Sequence, residues 1–231
     1  MSTDQLHGKA FEDRIKAALF RGAADGGRSA TSEFDVEPKF DKTYFLATSI
    51  KSAKHSKSAI VGLSDASRFW KNDQPFRMLV GLYHQRDRRK EFFEVHEFLL
   101  HGAMHQKLKG DITYEEVNGI HRDMSVKNFP RGTHVQARTF VRERLNAIKE
   151  KSGAIILNPK IDSKGQRRLQ CSVNLGKLIA IAEAGDPYHS PETNLISNSN
   201  YRLFTDSIGT DFLPFYVAGT ARELSTGSQE S

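Results

Sequence analysis

The spacing of hydrophobic positions predicts several helices. Phe11, Ile15, Ala18 and Leu19 recur at helical intervals, so residues 4–20 are predicted to form a helix with one buried stripe. The same periodicity, together with capping and glycine signals, predicts four further helices, at residues 64–70, 113–124, 134–151 and 177–183. The helix at 64–70 has Ser64 or Asp65 as its N-cap.

Alternating hydrophobic and polar residues predict two strands near the N-terminus. Residues 33–37 read Glu-Phe-Asp-Val-Glu, and a strand here would place Glu33, Asp35 and Glu37 on one face. The apolar run 44–51 ends in Lys51, and the same alternation places Ser49 beside Lys51. We expect the two strands to form a hairpin that turns at residues 40–42.

Two more hairpins are predicted farther along the chain. The first pairs residues 76–84 with 92–98, and the second pairs 154–161 with 166–175. Short apolar segments at 201–204 and 212–217 follow. This pattern predicts an α+β protein with a single domain at 1–217 and a flexible C-terminal tail at 218–231.

Composition favours a polyanionic partner and a reducing compartment. The chain has 231 residues and a net charge of +6. Cys171 is the only cysteine, which excludes an intramolecular disulfide. Residues 1–9 lack the apolar run of a signal peptide, and no segment has the roughly 20 apolar residues of a membrane span. We therefore expect a cytoplasmic protein without a membrane partner.

The predicted acidic strand and the lysine of the next strand point to one chemistry. Carboxylate oxygens bind hard cations such as Mg²⁺, and a nearby lysine can orient water and stabilise the charge that grows on phosphorus. The two strands together therefore predict magnesium-dependent hydrolysis of a phosphodiester.

The order of a helix, an acidic strand and an apolar strand ending in lysine resembles the PD-(D/E)xK nucleases, over about residues 1–75. That superfamily usually has a second acid two places before the lysine, where this chain has Ser49. One branch of type II restriction endonucleases also has serine there and takes the acid from the following helix. The resemblance implies Asp35 as first acid, Ser49 and Lys51 as the second motif, Asp65 as relocated acid and Glu12 as the acid of the first helix.

The resemblance also implies a fold and a function. The fold is restriction-endonuclease-like, a central mixed β-sheet flanked by helices. The function is Mg²⁺-dependent cleavage of double-stranded DNA at a short specific sequence by a homodimer, with a tetramer as the alternative. Asp35, Lys51, Asp65 and Glu12 are then catalytic, and Asp35 and Asp65 bind the metal. The alternatives are a structure-specific or repair nuclease of the same fold and, because of Ser49, a non-catalytic DNA-binding module.

Several residue assignments remain open at this level. Asp65 is either the relocated acid or simply the N-cap of its helix. Glu37 or Glu33 can replace Asp35 as metal ligand, and Lys54 can replace Lys51.

The last predicted hairpin carries candidates for reading DNA sequence. Alternation turns its apolar residues inward and four polar residues outward, namely Arg168, Gln170, Ser172 and Asn174. These residue types form hydrogen bonds to base edges in the major groove, although a solvated strand face has the same pattern. Contacts to phosphates are expected from other basic residues, namely Arg86, Arg88, Arg89, Lys107 and Lys109.

Two further patterns are interpreted as coincidental. Residues 121–128 match the kinase motif His-Arg-Asp-x-x-x-x-Asn, but no Gly-rich loop precedes them and no Asp-Phe-Gly follows. His96, His101 and His105 lack the neighbours of a zinc protease site, so they are interpreted as an ordinary polar face.

Overall fold

A computed structural model describes residues 3–23, 34–87, 89–205 and 215–217. In chain order the elements are α1 (Thr3–Leu19), β1 (Ala47–Lys54), β2 (Ile60–Asp65), α2 (Ala66–Lys71), β3 (Phe76–Arg86), β4 (Arg89–Leu100), α3 (Ala103–Lys109), α4 (Tyr114–Asp123), α5 (His134–Ala147), β5 (Ile155–Ile161), β6 (Arg167–Asn174), α6 (Leu175–Glu183), β7 (Tyr201–Phe204) and β8 (Phe215–Val217). The described residues form both α-helices and β-strands, so the protein is α+β.

The chain divides into two compact units. The first comprises Met1–Ala59, Pro75–Leu100 and Ala182–Ser231, and the second comprises Ile60–Gln74 and His101–Ile181. The second unit lies within the predicted domain at 1–217, whereas the first extends to Ser231, and the single domain stays a prediction. The predicted tail at 218–231 lies outside the described residues.

The first unit contains a mixed five-stranded sheet. Its strands are ordered β1-β3-β4-β7, and β8 also pairs with β4. β1 runs parallel to β3, with Ser49 opposite Met78 and Lys51 opposite Val80, whereas the other strand pairs are antiparallel. A mixed sheet packed against a helix therefore exists, as predicted.

Helix α1 packs on this sheet through the stripe that the sequence predicts. Phe11 and Ile15 are buried in a cluster with Ile50 and Leu79, and the ring of Phe11 stacks on Phe92 with centroids 4.4 Å apart. Gly81 makes this approach possible, because a β-carbon there would overlap the Phe11 ring. The sheet that carries Lys51 is thus held against α1 by close aromatic packing.

A buried charge cluster fixes the segment that enters β1. Arg77 donates to Glu97 from Nε at 2.6 Å and to Asp41 from Nη1 at 3.3 Å. The same Asp41 oxygen accepts the backbone N–H of Thr43 at 3.1 Å. Arg202 completes the cluster by donating to Glu97 at 2.9 Å. The ion pairs offset part of the cost of burying these charges.

The second unit contains a three-stranded antiparallel sheet in the order β2-β6-β5. Leu169, Cys171 and Val173 of β6 are buried, as alternation predicts. Burial in these surroundings raises the pKa of the Cys171 thiol to about 12. In this unit α2 begins after its N-cap Asp65, and Trp70 of α2 donates to the carbonyl of Ile112 at 2.7 Å.

The predicted acidic strand and its hairpin are wrong. In the described part of that segment, Val36 makes a single antiparallel bridge with Thr48, and a 3-10 helix follows at Pro38–Phe40. Proline fixes φ and lacks an N–H, so a ladder cannot continue through Pro38. Glu33 lies outside the described residues.

Other elements follow the local patterns. The helices at 4–20, 64–70, 113–124 and 177–183 and both later hairpins are confirmed with small shifts at their ends. The helix predicted at 134–151 ends at Ala147 and continues as a 3-10 turn at Lys149–Lys151. Strand β2 and helix α3 were not predicted, because both are short and Gly62 interrupts the apolar pattern of β2.

None of the helices in the described ranges has the length and apolar character needed to cross a membrane.

Candidate active site

Asp35 lies directly beside the motif that contains Lys51. Its Oδ2 atom accepts the backbone N–H of Ile50 at 2.7 Å, the hydroxyl of Ser49 at 3.4 Å and the ammonium of Lys51 at 3.5 Å. The alternation pattern predicted that a hairpin would bring Asp35 close to Lys51. In the structure a different connection brings them together.

That connection is the single bridge between Val36 and Thr48. The N–H groups of Asp35 and Val36 both donate to the carbonyl of Thr48, at 2.8 and 2.9 Å, and Thr48 donates back to Val36 at 2.9 Å. Because Thr48 is one residue before Ser49, this clamp places the Asp35 carboxylate at the edge of β1. We refer to Asp35, Ser49, Ile50 and Lys51 as the Asp35–Lys51 cluster.

The cluster is partly open to solvent. The side chain of Asp35 is 23% exposed and that of Lys51 is 26% exposed. The ion pair therefore leaves part of both side chains accessible to a ligand. An anionic oxygen ligand for a cation and an adjacent ammonium are thus available on one strand edge.

The other candidate acids of this unit have different partners. Glu12 is paired with Lys16, which is buried on the same turn of α1. Glu37 is largely exposed and forms an ion pair with Lys39 at 2.6 Å. Lys54, the alternative lysine, is exposed at the end of β1.

Asp65 lies in the second unit and does cap α2. Its Oδ1 accepts the backbone N–H of Ser67 at 3.1 Å. The same oxygen is 3.8 Å from Nδ1 of His121, and that nitrogen is 3.1 Å from the hydroxyl of Ser67. The side chains of Asp65 and His121 are 26% and 32% exposed, so part of the Asp65 carboxylate is accessible to solvent.

Sequence reasoning did not select His121. The residue belongs to the kinase-like motif that was interpreted as coincidental, and the structure confirms that Asp123 of that motif lies in a helix, α4. The packing of α4 against α2 brings His121 close to Asp65. The separation of the two residues in the sequence does not predict this contact.

No group of three or more His, Cys, Asp and Glu side chains placed to hold a metal occurs within the described ranges. Mg²⁺ usually keeps several waters and binds through one or two carboxylates together with substrate phosphates. A single carboxylate such as Asp35 could hold a magnesium ion only together with ligands from outside the protein.

The polar face of β6 is only partly available. Arg168 is exposed and Gln170 is half-buried. Ser172 is buried and accepts a hydrogen bond from Asn158 at 2.6 Å, while Asn174 accepts the backbone N–H of Lys177 at 3.1 Å. Because these contacts occupy Ser172 and Asn174 within the protein, Arg168 and Gln170 remain as candidates for base contacts.

Strand register adds two residues to this face. Asn158 of β5 lies opposite Gln170, and Lys160 lies opposite Arg168. Residues paired in this way point to the same side of a sheet. Sequence reasoning missed both, because β5 alone does not reveal which residues of β6 it faces.

The predicted phosphate-binding residues differ in their availability. Arg86 forms an ion pair with Glu91, and Arg89 and Lys107 are exposed. Lys109 is buried and donates to Asp73 at 2.7 Å and to the carbonyl of Trp70 at 3.1 Å, so it is not placed to contact phosphate. Arg88 lies outside the described residues.

The predicted polar face of histidines is wrong for His96 and His105, which are both buried. His96 lies 3.0 Å from the hydroxyl of Tyr201 through Nδ1. Burial lowers the pKa of His96, and the nearby carboxylate of Glu94 opposes that shift. These two histidines therefore belong to the packing of their units.

Comparisons of the chain with protein-family models, with curated proteins and with solved structures found no match.

Proposed function

We propose that this protein is a magnesium-dependent endonuclease that cleaves double-stranded DNA, most similar to type II restriction endonucleases. The observation that carries the proposal is the Asp35–Lys51 cluster, in which one carboxylate oxygen contacts both the lysine ammonium and the backbone of the same strand. A helix packed on a mixed sheet whose edge strand bears this cluster supports a restriction-endonuclease-like fold.

Each residue of the cluster has a distinct role in the proposal. Asp35 would hold Mg²⁺, which when bound supplies a Lewis acid for the scissile phosphate. Lys51 orients the attacking water and stabilises the charge that develops on phosphorus. The N–H of Ile50 fixes the orientation of the Asp35 carboxylate, because it makes the shortest of that carboxylate's described contacts.

Asp65 and Glu12 enter the proposal through the family resemblance. Asp65 is proposed as the relocated second acid, which is supported by the partial exposure of its carboxylate. Glu12 is proposed to assist the reaction from α1, where it forms an ion pair with Lys16.

Sequence recognition is assigned to the partly exposed polar face of the β2-β6-β5 sheet. Arg168 and Gln170 carry donors and acceptors suited to guanine and adenine edges, and Lys160, opposite Arg168, extends the set onto β5. A homodimer would place two such faces on the two halves of a palindromic site.

A non-catalytic DNA-binding module is the second candidate function. Ser49 stands where an acid is usual, and the described side chains contain no complete set of metal ligands. Such a module would use the same basic and amide-bearing surfaces without cutting DNA.

One assay separates these functions. Purified protein is incubated with plasmid DNA and Mg²⁺, with an EDTA sample and a Lys51→Ala sample as controls. Discrete fragments that require Mg²⁺ and Lys51 support a restriction endonuclease, and a smear supports a less specific nuclease. Intact plasmid that nevertheless shifts on a gel would replace the proposal with the DNA-binding module.

A further inference from the structure

Three aromatic side chains form a corner at the end of β1. The rings of His84 and Phe93 stack in parallel, with centroids 4.3 Å apart and an angle of 8°. His55 stands nearly perpendicular to both, 4.9 Å from His84 and 5.3 Å from Phe93. We call His55, His84 and Phe93 the ring corner.

Two local features of the sheet build this corner. The N–H of His55 donates to the carbonyl of Tyr83 at 2.9 Å, which continues the pairing of β1 with β3 beyond Lys54. Between β3 and β4 the register shifts after Leu82, and Phe93 is the extra residue on β4. A bulge redirects the side chain of its extra residue, and here that side chain lies on His84.

The ring corner is not part of the hydrophobic core. His55 is exposed, and His84 and Phe93 are half-buried. The core cluster of this unit is formed by other residues on α1 and the sheet, such as Phe11 and Phe92. Partly exposed rings held in fixed geometry are the usual means by which proteins bind planar groups through stacking.

The surroundings of the corner favour an anionic partner. The chain from Lys51 to Leu63 contains Lys54 and Lys57 and no acidic residue. Arg89 and Asp87 are both exposed at the turn of the adjoining hairpin, and the nearby carboxylate of Glu91 is paired with Arg86. Flat rings among cations match a single nucleic-acid strand, whose phosphates are anionic and whose bases are planar.

We propose that the ring corner binds a nucleobase that has left the base stack, on the strand that passes Lys51. This inference rests on the proposed nuclease function for its location relative to the cut. Lys51 and His55 are four residues apart on an extended chain, or about 13 Å, which equals the rise of about four stacked nucleotides. The bound base therefore lies within about four nucleotides of the cleaved bond, and the double-stranded substrate is locally unpaired at that position in the complex.

The test compares two strands of equal length and charge. Fluorescence anisotropy in EDTA measures the affinity of the protein for a labelled oligothymidine and for an abasic sugar–phosphate strand. We expect wild-type protein to bind oligothymidine about tenfold more tightly, because only that strand can stack on the rings. His55→Ala should remove most of this preference, and His55→Phe should retain it.

Matched variants separate stacking from charge and from folding. Lys54→Gln should weaken binding to both strands equally, because it removes only charge. His189→Ala removes another exposed histidine of the same unit and should change neither affinity. Phe93→Leu provides a second test of the corner, and circular dichroism verifies that each variant is folded.

Equal wild-type affinity for the two strands would overturn the inference, as would a full preference in His55→Ala. The outcome is independent of cleavage, because binding is measured without metal. A protein that leaves plasmid intact but loses its preference in His55→Ala would refute the proposed nuclease function and keep the ring corner. A protein that cuts plasmid and keeps its preference in His55→Ala would support the proposed nuclease function and refute the ring corner as a base-binding site.

Discussion

At the scale of single residues, the contacts of the Asp35 carboxylate determine whether it can bind a ligand. Its contact with the N–H of Ile50 is short and directional, whereas its contact with Lys51 is long at 3.5 Å. Long ion pairs at partly exposed positions contribute little to stability. Lys51 can therefore leave Asp35 at small cost when a phosphate or a metal arrives, while the carboxylate keeps its orientation.

Lys51→Ala should reduce cleavage by at least about 100-fold and leave DNA binding nearly unchanged. The change removes a charge that acts in the transition state and does not remove a metal ligand. Plasmid cleavage rates and gel-shift affinities check the two parts. Lys54→Ala is the comparison variant, since Lys54 lies on the same strand and is exposed, and it should weaken DNA binding without slowing the cleavage of bound DNA. Loss of cleavage in Lys54→Ala with full activity in Lys51→Ala would exchange the two roles.

Asp65→Asn separates capping from metal binding. Asparagine caps a helix about as well as aspartate, so the free energy of unfolding should change little. If the Asp65 carboxylate binds magnesium, cleavage should fall strongly at ordinary Mg²⁺ concentrations. Thermal unfolding and a Mg²⁺ titration of the cleavage rate provide the two measurements.

Ser49→Asp supplies the complementary variant to Asp65→Asn. It returns an acid to the usual position two places before Lys51, so the double variant should recover part of the cleavage lost in Asp65→Asn. Full Mg²⁺-dependent activity in Asp65→Asn alone would reject the relocated acid and leave Glu37 or Glu12 as the second acid.

At the scale of elements, the paired strands β5 and β6 carry the proposed sequence reader. Arg168→Ala and Gln170→Ala should each cost on the order of 1–3 kcal/mol at particular base pairs and relax the preference there. Arg89→Ala should weaken binding to all sequences alike, because it is expected to contact phosphate. Affinities measured on a panel of single-base variants of the cut site check this. A uniform loss in all three variants would exclude the hairpin as the reader.

The packing of α1 on the sheet depends on the absence of a side chain at Gly81. Gly81→Ala should destabilise the protein by about 1–3 kcal/mol, because the added methyl would overlap the Phe11 ring and lie 2.9 Å from the ring of Phe92. Gly62→Ala is the control, since no atom lies within 4 Å of a β-carbon there. Urea unfolding of both variants measures the difference, and equal stability would show that α1 shifts without cost.

The elements that could be predicted are those with strong local patterns. The long hairpin of β3 and β4 and the helices α1, α4 and α5 show periodicity over many residues. β2 and α3 do not, because a six-residue strand containing Gly62 and a seven-residue helix offer few repeats. The acidic strand was predicted from alternation alone, and Pro38 shows why alternation was insufficient there.

At the scale of the whole molecule, the net charge and the proposed symmetry lead to expectations for DNA binding. A net charge of +6 favours association with a polyanion at low salt. We expect a homodimer in solution as well as on DNA, since one twofold-symmetric protein matches one palindromic site. Sedimentation equilibrium should give twice the chain mass of 26.0 kDa. A monomer that cuts both strands in separate events, or a tetramer, would contradict this expectation.

The sequence by itself determined most secondary structure, the positive charge and the residue types of the candidate site, because these depend on neighbours a few positions apart. Only the tertiary structure decided which residues meet. The clamp at Thr48 brings Asp35 to Lys51, α4 brings His121 to Asp65, and strand register brings Asn158 to Gln170. Such contacts join distant parts of the chain. The register of paired strands depends on which of their faces can be buried together, and a short segment of the sequence does not contain that information.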